Sequence, residues 1–243
     1  MKAIKTEKLT RRFGERVAVD ELNLEVESGE FFALLGLNGA GKTTSIRMLS
    51  CLLSPSSGDA LVLGKSIVAE TAEVKQRINL SPQETAIAPN LSVRENLELI
   101  AGIYGASRSE AHSKAAQSME TFGLSQRAED RAKTLSGGMQ RRLSIAMALI
   151  TEPELVFLDE PTLGLDVRAR RELWEVLERL RGSVTIILTT HYMEEADALA
   201  DRIAVMDEGR ICALGTAEEL KAATKTASLE EAFLALTDKE VVA

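Results

Sequence analysis

The stretch Phe31-Phe32-Ala33-Leu34-Leu35-Gly36-Leu37-Asn38-Gly39-Ala40-Gly41-Lys42-Thr43-Thr44 decides the fold. Its opening residues, Phe31 to Leu35, are apolar without alternation, the pattern of a strand buried on both faces of a parallel sheet. Gly36 to Thr43 then fit G-x-x-x-x-G-K-[ST] and lead into a helix, expected from about Gly41 to about Leu53, ahead of Ser54-Pro55. Glycines at these positions let backbone N–H groups turn inward around phosphate oxygens, and the helix N-terminus adds its positive end. Lys42 is placed to reach outer phosphates and the Thr43 hydroxyl to ligate Mg²⁺. The flanking strand and helix separate this reading from a chance glycine-rich turn.

A second segment answers the first. Leu155-Val156-Phe157-Leu158 is an apolar strand that ends in Asp159-Glu160. A carboxylate at a strand's C-terminal edge beside a phosphate loop is where a Mg²⁺ ligand belongs, and Asp159 takes that role. The adjacent Glu160 is then placed to polarise water for in-line attack on a γ-phosphate. On this segment alone, a solvated acidic pair at a loop start is the competing reading.

Between and around these segments the periodicity alternates. Residues 4–35 read as strands, with alternation through Leu22–Val26 and a turn at Ser28-Gly29, and Leu61-Val62-Leu63 is another short strand. Ser92 with Glu95 forms a capping box ahead of a helix over Asn96–Tyr104, and further helices are predicted at 109–122 and 137–150. Strands return at Val184–Leu188 and Ile203–Met206, with a helix at Val167–Leu180. Strands alternating with helices predict a mostly parallel α/β core, with a helical block inserted between two of its strands.

Leu135-Ser136-Gly137-Gly138-Met139-Gln140 resembles the signature of the ATP-binding cassette (ABC) ATPases. Phosphate loop, signature and apolar-Asp-Glu in this order are specific to that family, and the resemblance runs from about residue 2 to 220. It implies a P-loop NTPase core with a mostly parallel sheet, an N-terminal antiparallel β subdomain and an inserted α-helical subdomain at about 88–150. A single nucleotide-binding domain at 1–220 would be followed by a short C-terminal helical tail at 221–243. The resemblance also implies ATP as nucleotide, bound by Phe13, Gly36, Asn38, Gly39, Ala40, Gly41, Lys42, Thr43 and Thr44. Across a dimer, Ser136, Gly137, Gly138 and Gln140 would complete that set. Mg²⁺ would be held by Thr43, Gln83 and Asp159, and catalysis carried by Glu160, His191, Gln83 and Lys42.

In that frame Gln83 resembles the Q-loop glutamine, His191 the switch histidine, Asp166 in Leu163-Gly164-Leu165-Asp166 the D-loop aspartate, and Phe13 the adenine-stacking aromatic. Each has a plainer reading: Gln83 as any loop glutamine, His191 as a structural histidine after an apolar strand, Phe13 as a residue packing on the sheet. A second anion cradle at Ser136 is redundant within one chain that has a complete phosphate loop. It gains a use when two cassettes pair head to tail, as a homodimer or with a different cassette.

Bulk properties narrow the partners. The chain has 243 residues, 45 % hydrophobic and 27 % charged, and a net charge of −8. No basic stripe is present; the basic clusters Arg11-Arg12 and Arg141-Arg142 are short, so a nucleic-acid partner is not expected. Cys51 and Cys212 are far apart and have no neighbour at metal-ligand spacing, which points to a reducing compartment. No apolar stretch follows Met1–Lys5, and no apolar run approaches the ~20 residues that cross a bilayer. Together with these properties, the resemblance implies a peripheral subunit on the cytoplasmic face of the membrane, driving a separate polytopic permease. Local similarity to drug-resistance-type ATPases, in Met48–Gly58, Thr190–Asp197 and Ser228–Leu234, favours export. The alternatives are a soluble ATPase of an assembly or regulatory complex, and a nucleotide-gated binding module of weak catalytic power.

Overall fold

A computed structural model describes residues 1–238. The chain opens with β1 (Lys2–Phe13), β2 (Arg16–Leu22), β3 (Glu25–Glu27) and β4 (Phe31–Leu35), followed by α1 (Lys42–Leu49). Next come β5 (Ser57–Val62), β6 (Lys65–Ser66), α2 (Thr71–Lys75) and β7 (Ile78–Ser81). The helices α3 (Val93–Ile103), α4 (Arg108–Thr121) and α5 (Gly137–Leu149) precede β8 (Leu155–Asp159) and α6 (Val167–Glu178). The chain continues through β9 (Thr185–Thr190), α7 (Met193–Leu199), β10 (Arg202–Asp207), β11 (Arg210–Gly215), α8 (Ala217–Thr224) and α9 (Leu229–Thr237). Of the tail expected at 221–243, residues 239–243 lie outside the described residues.

Two sheets organise these elements. A six-stranded sheet runs β11-β10-β4-β9-β8-β7, parallel throughout except where β11 pairs antiparallel on the edge. An antiparallel sheet runs β2-β1-β5-β6, with β3 also on β1. The expected α/β class, with a mostly parallel core and an antiparallel N-terminal sheet, is the observed one.

Strand geometry explains the unbroken apolar runs. Side chains alternate between faces, so Phe31, Ala33 and Leu35 enter one hydrophobic core while Phe32 and Leu34 enter the other. β8 divides likewise, with Val156 and Leu158 on the first side and Leu155 and Phe157 on the second. The first core also takes in Val93, Leu97, Ala115, Met119 and Leu143, so the helices inserted between β7 and β8 cover that face. The second core lies between the two sheets and α1.

Local signals set the ends of the helices. Ser92 caps α3 as a complete box: Glu95 N–H donates to Ser92 Oγ at 3.1 Å and Ser92 N–H to Glu95 Oε2 at 2.7 Å. Asn96, fully buried, accepts from Ala88 N–H at 2.7 Å and donates to Ser92 O at 2.9 Å, pinning the loop that enters α3. α1 stops at Leu49, four residues before the expected end near Leu53. Cys51 turns left-handed at φ 59°, and the Leu52 and Leu53 N–H groups both fold back onto Arg47 O.

Candidate functional site: a phosphate cavity at the strand ends

The C-terminal ends of β4, β7, β8 and β9 converge, which is where an open α/β sheet offers a crevice for ligands. Gly36 follows β4, Gln83 follows β7, Glu160 follows β8 and His191 follows β9. Gly36 N–H donates to Thr190 O at 3.2 Å and Glu160 N–H to Thr189 O at 3.1 Å, so the loops are stitched edge to edge.

A cavity of about 340 Å³ opens among Phe13, Asn38, Gly39, Lys42, Gln83 and Glu160, with Gly41, Thr43 and Thr44 also on its wall. Gly41 caps α1 at φ 104°, and a Cβ there would lie 2.6 Å from Ala18 O, so only glycine fits. Lys42 is 5 % exposed; its ammonium donates to Gly36 O at 2.7 Å and Leu37 O at 3.2 Å and lies 3.4 Å from Glu160 Oε1. Burial holds Lys42 below its ordinary 10.5, with Glu160 and Asp159 opposing that shift.

Two hydroxyls converge on one carboxylate oxygen. Asp159 Oδ1 accepts from Thr43 Oγ1 at 3.0 Å and from Thr189 Oγ1 at 2.6 Å. Thr43 and Asp159 therefore present hard oxygen donors side by side, a set that suits Mg²⁺, which takes few protein ligands and fills its sphere with phosphate and water. The backbone of Glu160 sits at φ 46°, uncommon for a side chain with a Cβ, and its N–H is also held by Thr189 Oγ1 at 3.0 Å. His191 Nδ1 lies 3.3 Å from Glu160 Oε2 without the alignment of a hydrogen bond, which leaves that nitrogen unsatisfied. Phe13 is half-exposed on the cavity rim, its ring 4.7 Å from the Arg11 guanidinium carbon.

Not every expected residue faces this space. Gly36 and Ala40 stand behind the wall. A Cβ at Gly36 would meet Met206 O at 2.4 Å, and Ala40, 4 % exposed, accepts from Gly209 N–H at 3.0 Å. Ser136, Gly137, Gly138 and Gln140 are not on the cavity wall. Ser136 and Gly137 are exposed at the start of α5, where Ser136 Oγ caps Met139 N–H at 3.4 Å. Gly138 admits α6, since a Cβ there would lie 3.0 Å from Ala169 Cβ. Gln140 turns inward, donating to Ala132 O and Leu135 O at 3.2 Å. Asp166 caps α6 by accepting from Ala169 N–H at 2.9 Å.

Residues not singled out from the sequence also shape the site. Arg16 lines the cavity as the cross-strand neighbour of Phe13 in the β1–β2 hairpin. Recognising the two-residue turn Gly14-Glu15 would have placed it there. Arg141 is buried beneath Asp159 and Glu160, although its position in a basic pair reads as surface. Glu195, fully buried, accepts from Trp174 Nε1 at 3.1 Å and lies against Thr162 and Thr190, under the loop carrying His191. Burial raises the Glu195 carboxyl above its ordinary 4.5. Arg170 stacks over Tyr192 at 4.3 Å, next to His191.

A parallel sheet with a glycine loop at a helix N-terminus and an acidic strand end beside it defines a P-loop nucleoside-triphosphatase. Comparison with known proteins takes this further. The sequence profile described as "ABC transporter" matches residues 19–163. The daunorubicin resistance ATP-binding protein DrrA3 of Streptomyces coeruleorubidus is 46 % identical over 223 residues, 91 % of this chain and 71 % of that protein. The linearmycin resistance ATP-binding protein LnrL of Bacillus subtilis is 42 % identical over 218 residues, 89 % of this chain and 70 % of that one. The structure of an ATP-binding subunit of an ABC transporter superposes with a TM-score of 0.85 at 28 % identity, covering 97 % of this chain and 100 % of that one. A dimeric post-hydrolysis structure of the ATP-binding cassette MJ0796 bound to ADP and Pi does so at 0.79 and 25 %, covering 88 % and 98 %. The chain belongs to the ABC transporter family, as an ATP-binding and ATP-hydrolysing subunit.

Proposed function

We propose that this ATPase drives export through a separate polytopic permease, from the cytoplasmic face of the membrane. The observation that carries the reading is the 42–46 % identity, over nine-tenths of the chain, to ATP-binding proteins named for resistance to antibiotics. Resistance conferred by an ATPase of this family fits removal of the compound from the cell. No helix among the described residues is long and apolar enough to cross a membrane, so the path for the cargo is assigned to another chain. The surface near Gln83–Asn96, with the helix that follows it, is assigned as the docking surface for the permease. Beyond the loop of Gln83, α3 exposes Leu99, Ile103 and Tyr104 at 46 %, 67 % and 54 %.

In the site, Lys42 and the loop N–H groups hold the β- and γ-phosphates, and Phe13 stacks on the adenine. Thr43, Asp159 and Gln83 would hold Mg²⁺, which would supply neutralisation of the charge that develops on the phosphates. Glu160 takes a proton from the attacking water, and His191, beside it at 3.3 Å, orients on the γ-phosphate. The exposed Ser136–Gly138 turn completes the site of a second cassette, so closure of a dimer accompanies ATP binding. A pull-down of the tagged chain from detergent-solubilised membranes, with and without ATP, tests the transport reading. Stoichiometric recovery of a polytopic membrane protein is expected. Recovery of soluble partners alone would move the ATPase to an assembly or regulatory complex.

A further inference from the structure

Arg141 lies on the second turn of α5, the helix that begins at the signature turn. It is 4 % exposed, and no carboxylate among the described residues forms an ion pair with it. Its guanidinium donates instead to five main-chain carbonyls. Nε reaches Pro161 O at 2.7 Å; Nη2 reaches Asp159 O at 2.8 Å and Glu160 O at 2.7 Å; Nη1 reaches Pro82 O at 2.5 Å and Gln83 O at 3.1 Å. A guanidinium has five N–H donors in a rigid fork, so this nest uses all of them, and an ammonium with three cannot reproduce it. Burial brings Arg141 down to about 10, against the pull of Asp159, Glu195 and Glu160.

A buried cation without a direct ion pair is costly to desolvate; here the carbonyl dipoles and the longer-range pull of Asp159, Glu195 and Glu160 oppose that cost. The acceptors show what it organises. Pro82 and Gln83 follow β7, Asp159 to Pro161 end β8, and α5 itself packs against both strands. Glu160 needs such a hold, since its φ of 46° persists only when surrounding bonds over-determine it. Thr189 fixes its N–H and Arg141 fixes its carbonyl.

We propose that Arg141 is a positioning residue. It locks the signature helix to the peptide groups of Gln83 and Glu160, so that the hydrolytic carboxylate is held at its angle in the site. The proposal rests on Glu160 as the water-activating group. It assigns Arg141 to the hydrolysis step and not to nucleotide binding, because its five donors are all spent on main-chain carbonyls and it is not on the cavity wall.

The test uses the full-length chain carrying Arg141→Gln, Arg141→Lys or Glu160→Gln. ATP affinity is read by calorimetry, and kcat and KM from phosphate release with MgATP. Arg141→Gln should lower kcat by at least about thirtyfold while Kd for ATP stays within about twofold, as expected when a reacting group is displaced but the binding loop is intact. Arg141→Lys, which keeps the charge with fewer donors, should recover part of the rate and settle about tenfold below wild type. A kcat within twofold of wild type in a folded Arg141→Gln would overturn the proposal, as would a Kd that weakens in step with kcat. Failure of both Arg141 variants to fold would assign the residue to stability and overturn it too. Normal turnover in Glu160→Gln would instead remove Glu160 as the water-activating group. Lost turnover there beside normal turnover in Arg141→Gln would remove only the role of Arg141.

Discussion

Removing the ammonium of Lys42 should weaken ATP binding far more than it disturbs the fold. In the free loop that ammonium is folded onto Gly36 O and Leu37 O and lies 3.4 Å from Glu160. A bound triphosphate would draw it into one or two charge-assisted contacts of about 1.5–3 kcal/mol each. Part of that gain offsets the two carbonyl contacts given up, leaving about 2–4 kcal/mol for Lys42→Ala to lose. At about 1.4 kcal/mol per tenfold, Kd should rise about 30- to 700-fold. Calorimetric titration with MgATP reads this directly. The same substitution leaves Glu160, 7 % exposed, without its cation, so the single variant should also unfold at lower denaturant than Lys42→Ala/Glu160→Gln. A Kd within threefold of wild type would refute the placement of the phosphates over Lys42. Equal stability of the single and double variants would refute the ion pair.

Three further perturbations separate the parts of the machine. Glu160→Gln should keep ATP affinity and lose about 10²–10⁴ in kcat, the span of general-base effects, with ATP trapped in a dimer detectable by size-exclusion chromatography. Ser136→Arg should leave ATP binding by the monomer unchanged and abolish that dimer; a normal ATP-induced dimer in this variant would refute sharing of the signature between chains. Glu195 gives a pH prediction. Its carboxyl is raised above 4.5 in the folded state, so folding binds a proton that the unfolded chain has released above that pH. Its favourable contribution is thus complete below about pH 4.5 and is lost as pH rises toward the folded value. Glu195→Gln, which keeps the bond from Trp174 and needs no proton, should flatten the fall in stability as pH rises above about 4.5, read by urea unfolding. An unchanged slope would count against a neutral buried acid.

The cavity at the strand ends was legible because its two anchors are written as contiguous strings. Phe31–Leu35 and Leu155–Asp159 are buried on both faces, so their pattern carries the strand and its functional end together. The capping box at Ser92 was equally plain, being a local geometry of four residues. Other elements left weaker traces. β7 is four residues long with only its end residues buried, and β11 is an edge strand whose alternation is shallow; neither was anticipated. α7, seven residues led by Met193-Glu194-Glu195, is too short for helical periodicity to register. Arg141 and Glu195 were hidden for a different reason. Both are ionisable residues whose burial depends on contacts from elements distant in sequence, and sequence reasoning places such residues on the surface by default. The phosphate-loop positions Gly36 and Ala40 show the converse, where a motif residue earns its place by letting Met206 and Gly209 close in behind the loop.

The exposed start of α5 has a bearing on cellular economy. On the proposed reading, a turn at Ser136 that completes the site of a second cassette makes fuel consumption depend on encounter. In dilute solution, turnover per millilitre should then rise with the square of subunit concentration, and straighten to a linear dependence only once pairs are saturated. On that reading, surplus subunits without a partner would idle with nucleotide bound. A cell could therefore make this motor in excess without draining its ATP.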